Sequence, residues 1–504
     1  MMLQLFLTFL LCLLLIVKHW KMKTSKYSKK LPPGPWKLPI IGNLHQLVGS
    51  LPQHALKALA KKHGPLMHLQ LGEVSAVVIS SPELAQEVLK QRQLSYAQRP
   101  QILAVEVMSY DGSSIFFAPY NDYWRQVRKI CVTELLSAKR VDSFKSVRQE
   151  EVQNLIQCIS SSRGLPINMS HEIFSLSNSI ISRAAFGKAC ADQGLFIETL
   201  DEIISLGGGF GLHDLFPSLK ILHYISGTKP VMKRLQRKMD KILNTIMNEH
   251  RAKRKHINDV LVVEEEEDLV DVLLNMEEGS TGADNFSLTT DNIKGVILDI
   301  FGAGSETSAS TMVWAMSEMV KNPRIMKKAQ AEVREALKGR SNNIDEKVIH
   351  ELNYLKCIVK ETLRLHPPGP LLPRESIERD EINGYEIPAK TKILINVWEM
   401  STDPKYWGDG DCFRPERFVD SSMSFKGTNF EYLPFGAGRR ICPGISFAIA
   451  GIELSLAQLL YHFDWKVPNG SKPEELNMTE TFGISAKRKY DLELIAINPM
   501  SSIA

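Results

Sequence analysis

The chain has 504 residues, 44% hydrophobic and 23% charged, a globular composition long enough for a large core. Its net charge is +4 (61 basic against 57 acidic residues), too small to argue for a nucleic-acid partner. The 7 cysteines are scattered and odd in number with no C-x-x-C pair, and the 13 histidines show no H-E-x-x-H, which argues against a disulfide scaffold and a zinc site.

Met1 to Val17 is apolar except for Gln4 and Thr8, at the short end of a membrane span. Lys18, Lys21, Lys23, Lys26, Lys29 and Lys30 follow it. A basic flank after the apolar run puts the N-terminus in the lumen and the bulk of the chain in the cytosol. With no basic region before the run and no small-residue cleavage site, residues 1–20 read as an uncleaved transmembrane signal anchor. Residues 21–42 read as a basic, proline-rich hinge, stiffened by Pro32, Pro33, Pro35 and Pro39. The remainder, 43–504, reads as one domain without an internal linker or repeat.

Leu66 to Leu71 and Ala76 to Ile79 flank Gly72-Glu73 as the arms of a hairpin, and Pro82 to Lys90 reads as a helix. From about Tyr120 helical periodicity dominates, so the predicted fold class is mainly α with a small β-region. In Asp122 to Lys129, Trp124 and Arg128 share one helix face, while Arg125 and Lys129 share the next. The acidic run Glu264 to Asp268 reads as a solvated loop or helix start and is given no function.

Thr290 to Lys321 reads as one helix, capped by Thr289 or Thr290 and ended by Asn322-Pro323; it spans roughly 48 Å. Its middle, Phe301 to Ser308, holds two glycines, an acid and several hydroxyls. Each interior glycine costs about 1 kcal/mol relative to alanine. A buried acid costs more unless it is partnered. Local rule-breaking of this kind marks functional sites.

Glu361 and Arg364 lie on one face of a helix that His366-Pro367-Pro368 stops, and Arg374 and Phe413 to Phe418 follow. Phe435 to Gly444 is a glycine-dense loop with Arg439, Arg440 and Cys442, leading into an apolar run from Ile445 to Leu460 that reads as a buried helix. Glycines let the loop turn N–H groups toward the sulfur, and those bonds with nearby positive charge favour the thiolate. A thiolate so held is a known axial ligand of haem iron.

The loop meets every fixed position of F-x-x-G-x-R-x-C-x-G and resembles the haem-binding loop of the cytochrome P-450 superfamily. W-x-x-x-R at Trp124 and Arg128, A-G-x-E-T from Ala303, E-x-x-R at Glu361, and P-E-R-F from Pro415 precede it in the family's order. The hinge resembles that of membrane-bound members, and the whole chain is similar to plant microsomal A-type members. The resemblance implies a cytochrome P-450 fold behind one N-terminal transmembrane helix. It implies haem b, with Cys442 as the axial iron ligand and Phe435 in the cofactor loop. Trp124, Arg128, Arg374 and Arg440 would bond the propionates. Ala303 and Gly304 would form an oxygen groove, and Glu306 and Thr307 an acid–alcohol pair that manages protons. Glu361, Arg364 and Arg417 would be a structural triad.

The implied reaction is monooxygenation, hydroxylation or epoxidation, using O2 and electrons from NADPH. As no nucleotide fingerprint or flavin domain occurs in the chain, these electrons would come through a separate NADPH–cytochrome P-450 reductase docked near Arg125, Lys129 and Arg439. The implied location is the endoplasmic reticulum membrane, single-pass, with the catalytic domain in the cytosol. The implied substrate is a small apolar plant specialised metabolite, a terpenoid first, with an indole alkaloid or flavonoid as alternatives. Leu371, Leu372, Phe482 and Ile484 are its candidate contacts. The rival classes are an O2-independent haem-thiolate isomerase or dehydratase, and a non-catalytic haem protein.

Overall fold

The computed structural model describes residues 31–498 apart from 111, 163, 188–192, 209, 220–225, 260–266, 279–286, 339–345 and 484. The anchor, the basic half of the hinge and most of the acidic run therefore lie outside the described residues. From Leu31 the hinge lies against the first strand: His68 N–H donates to Pro33 O at 2.8 Å, and a Cβ on Gly34 would stand 2.1 Å from His68 O. Only glycine lets the two backbones approach so closely.

Helix α1 (Pro52–His63) leads into β1 (Leu66–Leu71) and β2 (Val74–Ile79), an antiparallel hairpin with Leu66 opposite Ile79. Late in the chain β3 (Leu371–Glu375) and β4 (Lys392–Asn396) complete a four-stranded sheet in the order β1-β2-β4-β3, with β2 and β4 parallel. The predicted Pro82 to Lys90 helix forms as Pro82–Gln86, capped by Ser81, then widens into a π-turn over Glu87–Gln91. That turn abuts the cysteine loop. A Cβ on Gly438 would lie 2.1 Å from Leu89 O, and Gly438 has φ +68.

The helical body comprises α2 (Asp122–Ile130), α3 (Met169–Phe186), α4 (Gln193–Leu206), α5 (Thr228–Asp259), α6 (Leu269–Glu278), α7 (Thr290–Lys321), α8 (Pro323–Leu337), α9 (Asn353–Leu365) and α10 (Ile445–His462), with shorter helices between them. Helix α7 is the predicted long helix. Thr289 is its cap: its Oγ1 accepts from Asn292 N–H at 3.2 Å, and Asn292 Oδ1 accepts from Thr289 N–H at 3.0 Å. This reciprocal pair satisfies two end groups that a helix otherwise leaves open. One apolar core gathers side chains from α3 to α10 around α7, and a second lies between the sheet and the cysteine loop, joining Ile393 and Ile395 to Leu433 and Ala437. Among the described residues α10 is the helix long and apolar enough to cross a membrane, and it is packed inside this core.

Hairpin β5 (Glu480–Phe482) and β6 (Ala486–Arg488) lies against α7. Asp268, at the end of the acidic run, precedes α6 and is buried, which corrects the solvated position expected for it. It accepts from Asp271 N–H at 2.9 Å and holds His250 at 2.9 Å.

Candidate functional site: a thiolate loop beneath the long helix

The cysteine loop folds back on itself. Cys442 N–H donates to Phe435 O at 3.0 Å, and Gly436 and Gly438 take φ of +71 and +68, which L side chains rarely adopt. Phe435 packs edge-on to Phe425, with centroids 5.5 Å apart. Burial pushes the Cys442 thiol up, while the Gly444 N–H and the charge of Arg128 pull it down. The sequence reading credited the flanking arginines with that charge, and the structure corrects it. Arg439 is exposed near the Tyr120 ring, and Arg440 turns away to donate to Ala97 O at 2.7 Å and Ala118 O at 2.6 Å. Arg128 instead reaches over from α2 and donates to Ile441 O.

Arg440 belongs to a buried trio with Arg374 and Arg99, which are 8%, 2% and 5% exposed. Arg99 donates to Pro373 O at 2.6 Å and Arg374 to the same oxygen at 2.9 Å. Their hydrogen bonds go to carbonyls, and Arg99 Nε has no partner among the described residues. Burial holds Arg374 down to about 10, and burial with the neighbouring guanidiniums holds Arg440 down to about 9. Arg99 is pushed the same way by burial and by both others. Guanidiniums do not give up their proton, so this arrangement calls for anions. The two carboxylates of haem b suit that demand in the sign of their charge and in hydrogen-bonding class. Arg99 escaped the sequence reading. Its one signal was an arginine in a stretch, Leu94 to Val105, that contains no acid.

Trp124 departs from the propionate bond implied for it. Its single N–H donates to Ile115 O at 2.8 Å. Its ring instead lies beneath the Arg440 guanidinium at 4.5 Å, with that of Arg128 at 5.9 Å. It contributes an aromatic face to two cations.

In the middle of α7 most side chains are buried, yet Ala303 is exposed and Thr307 partly so. Thr307 Oγ1 donates to Ala303 O one turn back, at 2.6 Å. Gly304 does not share this open face: a Cβ there would meet Ile181 Cδ1 of α3 at 3.0 Å, and one on Gly302 would meet Leu200 Cδ1 of α4 at 3.4 Å. Gly304 lets α3 lie close on α7, Gly302 is in ordinary contact with Leu200, and Ala303 alone remains in the expected groove. Glu306 turns from Thr307 toward β6, where Lys487 Nζ stands 3.5 Å from its Oε1. Burial pushes the Glu306 carboxyl above its ordinary range, and Lys487 tempers the rise.

Behind the cysteine loop, Glu361, Arg364 and Arg417 do meet. Arg364 grips Glu361 through Nε and Nη2 at 2.7 and 2.8 Å, and Arg417 Nε donates to it at 3.0 Å. Arg364 also donates to Ser401 O and Gly410 O at 2.7 and 2.6 Å, and Arg414 N–H donates to Glu361 at 2.8 Å.

Of the candidate substrate contacts, Leu371 packs with Leu215 and Phe216, whereas Leu372 packs in the sheet cluster toward Gly436. Neighbours on a strand face opposite ways, so the two do not line one cavity as expected. Phe482 lies in β5, but its side chain and all of Ile484 fall outside the described residues.

A half-buried thiol held by its loop, beside arginines that call for paired carboxylates, defines a haem-thiolate site. A family model described as Cytochrome P450 matches residues 32–493, and the chain belongs to that family. It is a haem-dependent monooxygenase. It is 58% identical over 490 residues to a melianol synthase of Ailanthus altissima, covering 97% of this chain and 94% of that one. It is 54% identical over 487 residues to the premnaspirodiene oxygenase of Hyoscyamus muticus, covering 96% of each. A solved zebra fish cytochrome P450 structure with abiraterone superposes with a TM-score of 0.74 at 25% identity, over 89% of this chain and 99% of that one.

Proposed function

We propose that the protein hydroxylates or epoxidises a small apolar terpenoid; for hydroxylation, RH + O2 + NADPH + H+ gives ROH + H2O + NADP+, and epoxidation adds the same oxygen atom across a C=C bond. The observation that carries the substrate class is its similarity, at 58% to 54% identity over nearly the whole chain, to melianol synthases and a premnaspirodiene oxygenase. When bound, haem supplies the activation of dioxygen.

The chain's own residues hold and direct that chemistry. Cys442 would ligate the iron, with its loop braced by Phe435 and by the Glu361–Arg364–Arg417 triad. Arg99, Arg374 and Arg440 would hold the propionates, with Arg128 near the sulfur and Trp124 beneath the guanidiniums. Ala303 leaves room on α7 beside the Thr307 hydroxyl. Glu306, raised by burial, keeps a proton nearer to neutral pH than an exposed glutamate does, and is the proton group of this stretch of α7, on the side that faces β6.

Electrons come from NADPH through a separate reductase. Exposed Lys129 and Arg125 on α2, together with exposed Arg439, form the basic side where that acidic partner docks. Residues 1–20 anchor the chain in the endoplasmic reticulum membrane, 21–42 hinge it, and 43–504 form the cytosolic catalytic domain. Exposed apolar side chains support a membrane-facing end: Trp36, Ile40, Ile41 and Val48 on one segment, Leu212 and Leu219 on another. The β1–β2 turn joins them, since Gly72 N–H donates to Ile41 O and Glu73 N–H to Leu215 O at 3.3 and 2.8 Å.

The test is microsomal expression with a reductase and a panel of terpenoids, alkaloids and flavonoids, read by product mass spectra. NADPH-dependent gain of one oxygen on a terpenoid is the expected outcome. Oxygenation of only an alkaloid or flavonoid would overturn the substrate class. Hydroperoxide turnover without NADPH would favour the isomerase or dehydratase.

A further inference from the structure

Four side chains on α7 recur at every fourth position: Glu306, Ser310, Trp314 and Glu318. Such residues form a slowly winding stripe on one side of a helix. The whole stripe engages the β5–β6 hairpin. Lys487 Nζ approaches Glu306 at 3.5 Å, and Ser310 Oγ donates to Ala486 O at 3.2 Å. The Arg488 guanidinium lies 5.4 Å from the Trp314 ring centroid. At the far end His366 bridges Glu318 at 2.8 Å and Glu480 at 3.1 Å. The hairpin is thus fastened to α7 along its length, and its lysine is held at the level of the acid.

Lys487 has a second partner. Its Nζ lies 3.0 Å from Oδ1 of Asp201 on α4, the helix whose Phe196 ring packs edge-on to Phe301 of α7 with centroids 4.4 Å apart. The three charged groups differ sharply in exposure. The Asp201 side chain is 60% exposed, that of Lys487 29%, and that of Glu306 7%. Glu306 Oε1 has no hydrogen bond of good geometry among the described residues, and the nearby Ser485 hydroxyl joins Lys487 in favouring its charge. Apolar Phe174 of α3 flanks the lysine at 5.8 Å. A buried acid of this kind depends for its aim and its charge on a cation that a more exposed acid also claims.

We propose that Lys487 is a positioning residue for Glu306: shared with Asp201, it ties the aim of the buried acid to the seating of α4. The proposal rests on the reading of Glu306 as a proton group. Lys487 favours the carboxylate, while burial and Asp201 oppose it. Two substitutions therefore act in opposite senses. Lys487→Met removes the stabilising cation and raises the pH at which Glu306 ionises. Asp201→Asn removes the competing anion and lowers it. A merely structural role for the bridge would not produce opposed shifts.

The purified holoenzyme serves for the test, and no substrate is needed. Infrared titration follows the stretch of the buried protonated carboxyl, assigned by its loss in Glu306→Gln. A second readout is hydrogen peroxide released per NADPH consumed with the reductase. Two electrons and two protons turn O2 into H2O2, and four of each turn it into two waters, so poor proton delivery raises the peroxide share. In Lys487→Met the midpoint should rise by about one unit or more and the peroxide share should grow. In Asp201→Asn the midpoint should fall, and Lys487→Arg should restore both readouts. If Glu306→Gln raises the peroxide share while Lys487→Met moves neither readout, the positioning role is overturned and the proton role stands. If Glu306→Gln leaves the share unchanged, the proton role falls and takes this proposal with it. Midpoint shifts of the same sign in the lysine and aspartate variants would also overturn it.

Discussion

Two buried glutamates, Glu361 and Glu306, sit on opposite sides of the proposed haem site and are treated in opposite ways. Glu361 is fully buried, and two arginines and the Arg414 N–H surround it. Glu306 is nearly as buried but has one lysine at 3.5 Å, and that lysine is shared with Asp201. A carboxylate saturated with charged donors is fixed in charge and in place. One with a partial, contested partner can exchange a proton and move. The proximal side is built to stay still, and the distal side to respond.

Removing the sulfur is the severest test of that division. Cys442→Ala should abolish turnover and the ferrous–CO band near 450 nm that marks thiolate ligation, while far-UV circular dichroism stays close to native. The loop's closure uses the backbone, through Cys442 N–H to Phe435 O, so the fold does not need the thiol. A variant that unfolds would break the claim that the proximal brace is independent of the ligand it serves.

Glu361→Ala should instead act through the fold. It leaves Arg364 buried with its carboxylate gone, and Arg417 with it. Breaking a buried pair in this way costs about 3–5 kcal/mol. The expected outcome is a large fall in the urea midpoint and loss of bound haem in proportion. If Glu306→Gln destabilises the protein as much, the contrast between the two glutamates is wrong.

These two sides were not equally legible in the sequence. Glu361 with Arg364, the cysteine loop and the long helix are local patterns, and the capping pair Thr289 and Asn292 marks the start of α7. Such features depend on residues close in the chain, so their spacing carries them. The remaining partners come from afar. Arg99 joins Arg374 and Arg440 only after the sheet and the cysteine loop have assembled, and Lys487 reaches Glu306 only once the hairpin docks. Gly304 looked like groove space, but its reason is Ile181 on another helix. The charge near the sulfur was assigned to sequence neighbours, whereas a solvent-exposed Arg439, a turned Arg440 and an incoming Arg128 decide it. Neither arm of β3 could be oriented from the sequence, so Leu371 and Leu372 were placed together although a strand sends them apart.

His366 tests whether the far end of the distal stripe is also responsive. Both its ring nitrogens face carboxylate oxygens, Glu318 at 2.8 Å and Glu480 at 3.1 Å, and its ring stacks on Trp314 with centroids 3.9 Å apart. A neutral imidazole has one N–H, so donating to both acids requires the imidazolium. His54, 3.8 Å from Glu480, and Arg488, on the Trp314 ring, are the other charged or titratable groups nearby. Although burial opposes the charge, the two acids raise the His366 pKa above 6.5. Its stabilisation is therefore complete below 6.5 and is lost as pH rises through the higher folded value. Wild type should exceed His366→Gln by about 1.5–3 kcal/mol at the acidic end, and the gap in urea midpoints should narrow as pH rises. A pH-independent gap would make this end of the stripe as fixed as the triad.

Ser310→Ala is the mildest probe and the most specific. Ser310 Oγ donates to Ala486 O at 3.2 Å, between the two charged fastenings of the hairpin. The lost bond should cost about 0.5–1.5 kcal/mol, because no charge is stranded. Its consequence should be local. Amide exchange should quicken across Ala486–Arg488 and leave the proximal helix Asn353–Leu365 unchanged. Lys487 lies one residue from the loosened carbonyl, so the Glu306 infrared midpoint should move in the same sense as in Lys487→Met, by less. Faster exchange in both regions would mean that the two sides of the site share one rigid frame, and the division between the two glutamates would then be one of hydrogen-bond number alone.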